Sequence, residues 1–209
     1  MTLHKVCIVI IVALCTVTGC QGTGEMVNFN LHPISSGSPA GEALHDDTLR
    51  IAVSPFRDMR QEQSRIGKRT HFWGGTTQFN AWDGHIGQGM ADLAIAYLQQ
   101  RKWHTTQATE ENLADVILSG EVLRLETQAK SGFGFTDIHV SMDVRFEAKN
   151  MSDGSTVRTS LGANGSDTVI FFSPEDVETL TSDVAKELFD QLFRDLTVKD
   201  RAFHLRSNL

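Results

Sequence analysis

Apolar and polar residues alternate without a break from Ile138 to Lys149. Ile138, Val140, Met142, Val144, Phe146 and Ala148 take one side; His139, Ser141, Asp143, Arg145, Glu147 and Lys149 take the other. Successive side chains of a strand point to opposite faces, so the pattern predicts a strand with one face on a core and one in water. Elsewhere the period becomes helical. Ile86, Met90, Leu93, Ala94, Tyr97 and Leu98 fall on one helix face, predicting a helix from about Asp83 to Arg101. A longer stripe of Val177, Leu180, Val184, Leu188, Leu192 and Leu196, widened by Phe189 and Phe193, follows Ser173-Pro174-Glu175-Asp176. That tetrapeptide reads as a helix start: serine at the N-cap, proline at the first position, an acid at the third. Shorter β-rich runs cover Leu49 to Phe56, stopped or bulged at Pro55, then Trp103 to Ala108 and Ala114 to Glu126. Asp153-Gly154 supplies a hairpin turn, after which Thr156 to Leu161 starts back.

The predicted order is β-α-β-β-β-β-α, an α/β (α+β) sandwich. Its sheet is mostly antiparallel, with two helices packed on one face. The first crossover is parallel and should be right-handed. All of this lies in residues 49–209, about the length of one domain with a sizeable core. Residues 20–48 are rich in Gly, Ser and Pro and lack apolar periodicity, which predicts a flexible tether with an end-to-end distance of about 30 Å.

Residues 1–19 have a different pattern. Lys5 precedes an apolar run from Val6 to Val17, well short of the roughly 20 residues of a membrane-spanning helix. A basic start, a short apolar stretch and small residues before a cut describe a secretory signal peptide. Val17-Thr18-Gly19-Cys20 resembles the lipobox of bacterial lipoproteins. The resemblance implies cleavage before Cys20, acylation of that cysteine and attachment to a membrane by three acyl chains, each buried methylene contributing about 0.8 kcal/mol. An ordinary signal peptide with a chance cysteine is the alternative. In the lipoprotein family an aspartate after the cysteine marks inner-membrane retention. Gln21 stands there, which implies the outer membrane, with the domain facing the periplasm.

Cysteine usage and charge agree with that picture. Cys7 and Cys15 would leave with the signal, so the mature chain would hold neither a disulfide nor a free thiol. Loss of Lys5 takes the formal charge from −7 to −8. An acidic chain of this kind is a poor match to nucleic acid, which calls for a basic face.

Two further motifs carry a resemblance. Ile51-Ala52-Val53-Ser54-Pro55-Phe56-Arg57-Asp58 resembles the opening strand of YajG-like lipoproteins, of curli-secretion and penicillin-binding-protein-activator lipoproteins, and of the TolB N-terminal domain. Ala114 to Val122 looks like their later strand, and Asp153-Gly154 falls where they carry a hairpin. The resemblance spans residues 49–197 and implies a non-catalytic binding or assembly module. The charged face of strand 138–149 argues against the pore-forming role of the curli type.

No catalytic residue, metal ligand or cofactor is expected. The chain has no G-x-S-x-G elbow, Walker loop or H-E-x-x-H, and His71, His85, His104 and His139 share no metal-ligand spacing. Gly84-His85-Ile86-Gly87-Gln88-Gly89 has the order G-x-x-G-x-G, and its glycines are read as allowing close helix–sheet packing, with anion binding by the free N–H groups of the helix start as the alternative. Arg57 to His85 is the most suggestive stretch. Five basic residues between Arg57 and Arg69 face only Asp58 and Glu62, and Phe72, Trp73, Phe79 and Trp82 follow. Basic and aromatic residues together suit a binding surface; a loop whose aromatics cover the sheet is the alternative. The candidate contact residues are Arg57, Arg65, Lys68, Arg69, Trp73 and Trp82, with Phe133 and Phe135 of Lys130-Ser131-Gly132-Phe133-Gly134-Phe135 as a second site. The expected partner is an envelope protein, peptidoglycan or lipid. A self-associating structural subunit is a further alternative, and an envelope hydrolase using His71, His85 and Asp83 a third.

Overall fold

The computed structural model describes residues 25–29, 49–81, 85–108 and 114–206. In chain order the strands are β1 (Glu25–Phe29), β2 (Arg50–Val53), β3 (Arg57–Asp58), β4 (Gly67–Thr70), β5 (Thr76–Ala81), β6 (His104–Gln107), β7 (Val116–Ser131), β8 (Thr136–Asn150) and β9 (Thr156–Val169), then β10 (Leu196–Lys199) and β11 (Ala202–Leu205). Helix α1 (Ile86–Gln100) precedes β6, and α2 (Pro174–Asp195) precedes β10.

The long β7 is the spine of the sheet. One edge pairs antiparallel with β8, from Val116 opposite Asn150 to Ser131 opposite Thr136, with an irregularity between Val122 and Arg124. β8 in turn pairs antiparallel with β9. Along the other edge β2, β3 and β4 pair with β7 in succession, all parallel to it. They behave as one strand broken twice: at Ser54-Pro55-Phe56, as the proline predicts, and by the excursion 59–66. β6 adds to β2 in parallel, as expected of the first crossover. β5 folds back antiparallel on β4, and β1 lies parallel beside β5. The sheet as a whole is mostly antiparallel, in an α/β fold with two helices among the described residues.

The predicted core positions are buried, apart from the half-buried Leu180 of α2. Ile138, Val140, Met142, Val144, Phe146 and Ala148 all face inward from β8, and the whole predicted stripe of α1 is buried. α2 starts where the sequence places it. Ser173 and Asp176 form a reciprocal capping box, with the Ser173 N–H donating to Asp176 Oδ2 at 2.6 Å. Both helices cover the face carrying Phe146: its ring meets Phe189 of α2 at 5.9 Å, and Phe189 meets Tyr97 of α1 at 5.3 Å. Tyr97 also donates to Asp190 Oδ1 at 2.6 Å, where Arg101 makes an ion pair at the same distance. Burial, and then that hydrogen bond, push the Tyr97 phenol upward.

Close packing explains Gly87. A Cβ there would lie 1.8 Å from the Phe56 carbonyl oxygen, and the Phe56 N–H donates to the Gly87 carbonyl at 3.0 Å. The first turn of α1 thus docks directly on the chain after β2, as the close-packing reading of this glycine expects.

Five stretches differ from the expectation. The stretch expected to be a long loop, 57–85, holds three strands within its described part, residues 57–81. β4, Gly-Lys-Arg-Thr, buries neither face fully, so its strand character comes from backbone pairing on both edges and leaves no hydrophobic alternation to read. Within the stretch read as a tether, Glu25–Phe29 is a strand. Phe29, its buried side chain, packs edge-on against Phe79 at 4.8 Å. β7 and β9 run further than predicted, to Ser131 and Val169. The β10–β11 hairpin was not anticipated; Leu196 and Phe203 are buried, but its strands are only four residues each.

Asp115 ties these parts together at the start of β7. It accepts from the Arg50 backbone N–H at 2.9 Å and from Arg201, at the β10–β11 turn, at 2.8 Å. Partial burial works against its charge, but the hydrogen bonds from Arg50 and Arg201 outweigh it and hold the carboxyl below its ordinary range. A carboxylate with a lowered folded pKa contributes stability above about pH 4 and loses it as pH falls through the folded value. Asp115→Asn should therefore lower the urea midpoint at pH 7. The gap to the parent should narrow on acidification below about pH 4, and equal gaps at pH 7 and pH 3 would contradict this.

Candidate functional site

The candidate residues fall into two places on the sheet. The first is a groove of about 480 Å³ on the face away from the helices, beside the β7 irregularity. The 59–66 excursion forms one wall, with β4, β5 and the outward side chains of β7 around it. Arg60, Glu62, Arg65, Lys68, Gln78, Arg124, Glu126 and Gln128 line it, and the buried Ile66 and Leu125 lie at its base.

Arg60 builds that wall. Its guanidinium forks onto Asp58 at 2.9 and 2.8 Å and donates to the carbonyls of Arg65 and Gln63 at 2.8 and 3.2 Å. Only 3% of this side chain is exposed. The remaining charges are largely matched. Arg65 pairs with Glu62 at 2.9 Å and Arg124 with Asp143 at 2.8 Å. The Ser64 hydroxyl, then Arg65, pull Glu62 down to about 2, so it stays ionised. Arg57 lies further along, paired with Glu121, which also pairs with Arg145 at 2.6 Å. The local excess of basic residues seen in the sequence is therefore partly neutralised, by Asp58 and Glu62 of the same stretch and by Glu121 of β7. What remains is a polar, mixed-charge groove suited to hydrogen-bonding partners.

The second place is the end of the sheet where three connections meet: the β4–β5 turn (71–75), the β7–β8 turn (132–135) and the β9–α2 loop (170–173). Pairing of Thr70 with Thr76, Ser131 with Thr136 and Thr136 with Val169 fixes them side by side. Gly74 and Gly75 turn the first at φ +92° and +86°, and Gly134 the second at +80°, backbone that favours glycine. Phe72 contacts Trp73 at 4.7 Å and Phe133 at 6.2 Å. Arg69 donates to Ser131 Oγ at 2.9 Å and lies 4.1 Å over the Phe172 ring.

Of the predicted contact residues, Arg65 and Lys68 thus line the groove. Trp73, Phe133 and Phe135 share the aromatic end, with Arg69 behind them. Arg57 belongs to neither, and Trp82, Asp83 and Cys20 lie outside the described residues. Sequence reading missed Ile170 and Phe171, both highly exposed; two bulky apolar residues just before a helix N-cap were the available signal. His71 hydrogen-bonds Thr77 Oγ1 at 2.8 Å, while His85 stands at the start of α1. β5 separates them, and six strand residues span about 20 Å. Among the described residues no group of three or more His, Cys, Asp or Glu could hold a metal, and no helix is long and apolar enough to cross a membrane.

No protein-family model matches the chain, and no curated protein matches it. Solved structures do. An uncharacterised protein aligns with a TM-score of 0.51 at 7% identity, covering 82% of this chain and 97% of its own. Protein XCC0632 from Xanthomonas campestris, of the family DUF330, aligns at 0.51 and 11% identity, covering 80% and 92%. Both likenesses are of fold alone. Lipoprotein GNA1162 from Neisseria meningitidis aligns at 0.38 and 12% identity over 68% of this chain and 99% of its own, too low a score to build on.

Proposed function

We propose that the chain is a non-catalytic outer-membrane lipoprotein, acylated on Cys20, whose periplasmic domain binds another envelope component. The observation that carries this reading is the sequence Val17-Thr18-Gly19-Cys20 at the end of a short apolar run behind Lys5. The domain supports it with a built polar groove whose wall is held by Arg60, together with two histidines kept apart by a strand. Arg65, Lys68 and Gln128 are the groove side chains placed to meet a protein or glycan partner.

Crosslinking in cells, with capture of the full-length protein and mass spectrometry, tests it against Cys20→Ser. The expected result is a specific envelope partner, or peptidoglycan, that the unlipidated variant fails to capture and that Lys68→Glu weakens. Equal capture by Cys20→Ser from a soluble fraction would contradict the anchor. A second reading, self-association, has β9 behind it. This edge strand of 14 residues pairs only with β8 among the described residues, and such edges invite pairing with another chain. Crosslinks joining two copies through β9 would favour that reading over a separate partner.

A further inference from the structure

We propose that the aromatic end of the sheet sits in the headgroup layer of a phospholipid bilayer, beside the chain's own lipid anchor. The proposal rests on acylation of Cys20 and specifies which way the anchored domain faces. Three observations carry it.

The first is the chemistry of the tips. His71-Phe72-Trp73-Gly74-Gly75, Gly132-Phe133-Gly134-Phe135 and Ile170-Phe171-Phe172 contain no acidic residue, no lysine and no arginine. Trp73 is 87% exposed, Phe133 83% and Phe171 90%. Among the described residues ten large apolar side chains are exposed, and six of them are in these three connections. Water penalises such a cluster, whereas aromatic side chains, tryptophan above all, favour the membrane–water interface.

The second is where the chain enters the fold. β1 runs parallel to β5 with Glu25 opposite Thr77, so it begins at the same end as the tips. Met26, its second residue, is another of the ten exposed apolar side chains. Five residue steps separate Cys20 from Glu25, and an extended chain covers at most about 18 Å in that distance. An acyl group on Cys20 therefore holds this end, rather than the far end, against the bilayer. Had residues 25–29 been part of a long tether, no such constraint would exist. The far end is marked by the β8–β9 turn at 151–154, roughly 50 Å away along the 15 residues of β8.

The third is charge. Behind the tips Arg69 and Lys130 are set against Asp137 and Asp167, and Glu175 and Asp176 lie in the first turn of α2. With no net basic face, apolar insertion rather than attraction to anionic lipid is the driving force. Contact should then be insensitive to lipid charge.

The test uses the full-length protein taken from membranes and reconstituted into phosphatidylcholine vesicles, with and without phosphatidylglycerol. Trp73→Cys, Phe133→Cys and Ser152→Cys each carry an environment-sensitive fluorophore, Ser152 reporting the far end. Nitroxide-bearing lipid should quench the labels at 73 and 133 several-fold more than the label at 152, and aqueous iodide should show the reverse order. Both results should be unchanged by phosphatidylglycerol. Hydrogen exchange on the unsubstituted protein should show residues 71–75 and 132–135 protected on vesicles relative to detergent, which guards against a misfolded variant. Equal quenching at all three positions, or no added protection, would overturn the proposal. Protection that appears in detergent as the protein self-associates would overturn it in favour of a second copy. Flotation with vesicles separates the two readings. A protein that floats with labels 73 and 133 in water keeps its anchor and refutes this orientation. Lipid-quenched tips on a chain without acyl groups uphold insertion and refute the anchor.

Discussion

Arg60→Met should cost the domain about 3 kcal/mol, since removing one partner of a buried ion pair costs roughly 3–5 kcal/mol and Asp58 keeps some contact with water. Methionine preserves the length of the side chain, so what is lost is the fork. Asp58 then faces no cation, and the Gln63 and Arg65 carbonyls lose the donors that hold the 59–66 excursion in its curve. The urea midpoint should fall at unchanged slope, and a thermal midpoint should drop by roughly 6–12 °C for a chain of this size. Arg60→Lys should recover only part of the loss, because an ammonium restores the charge without the planar fork. A cost under about 1 kcal/mol for Arg60→Met, below the range for a broken buried pair, would show that the excursion is held by something else.

Asn150→Leu should cost about 2–4 kcal/mol by leaving two backbone groups unpaired in the core. Asn150 is fully buried at the end of β8. Its Nδ2 donates to the Phe203 carbonyl at 2.9 Å and its Oδ1 accepts from the Phe203 N–H at 2.8 Å. One side-chain amide thus pins the β10–β11 hairpin to the sheet. Phe203 in turn packs against Trp103 and Phe193, each at 5.9 Å. The local consequence separates this loss from a general one. Hydrogen exchange at residues 196–205 should speed up more than at β8, and proteolysis should begin in the hairpin. Loss of stability spread evenly over the sheet would contradict the pinning role.

The parts of the fold readable in the sequence are those where burial repeats with a fixed period. β8, α1 and α2 each bury a regular stripe, so periodicity alone places them. β1, β3 and β4 escape because they are two to five residues long and are held mainly by backbone pairing, which no side-chain pattern records. Phe29 is the one buried side chain among those described in β1, and a single apolar residue has no period. The same physics splits the candidate site. Basic residues cluster between Arg57 and Arg69; Arg60 and Arg65 meet Asp58 and Glu62 within the same stretch, whereas Arg57 meets Glu121 only through the pairing of β3 with β7. Their partial neutralisation is local for Arg60 and Arg65, and only that of Arg57 is a property of register. Trp73, Phe133 and Phe135 are each visible as exposed-looking loop aromatics, whereas their meeting at one end depends on three strand endings, Thr70, Ser131 and Val169, that lie 38 to 99 residues apart.

The central claim is that Cys20 is the acylated start of the mature protein, and the mass of the N-terminal peptide from the membrane fraction tests it most directly. The account predicts a peptide beginning at Cys20 and heavier than its sequence by a diacylglyceryl group and a third acyl chain. An unmodified cysteine, or a peptide that still carries residues before Cys20, would contradict it.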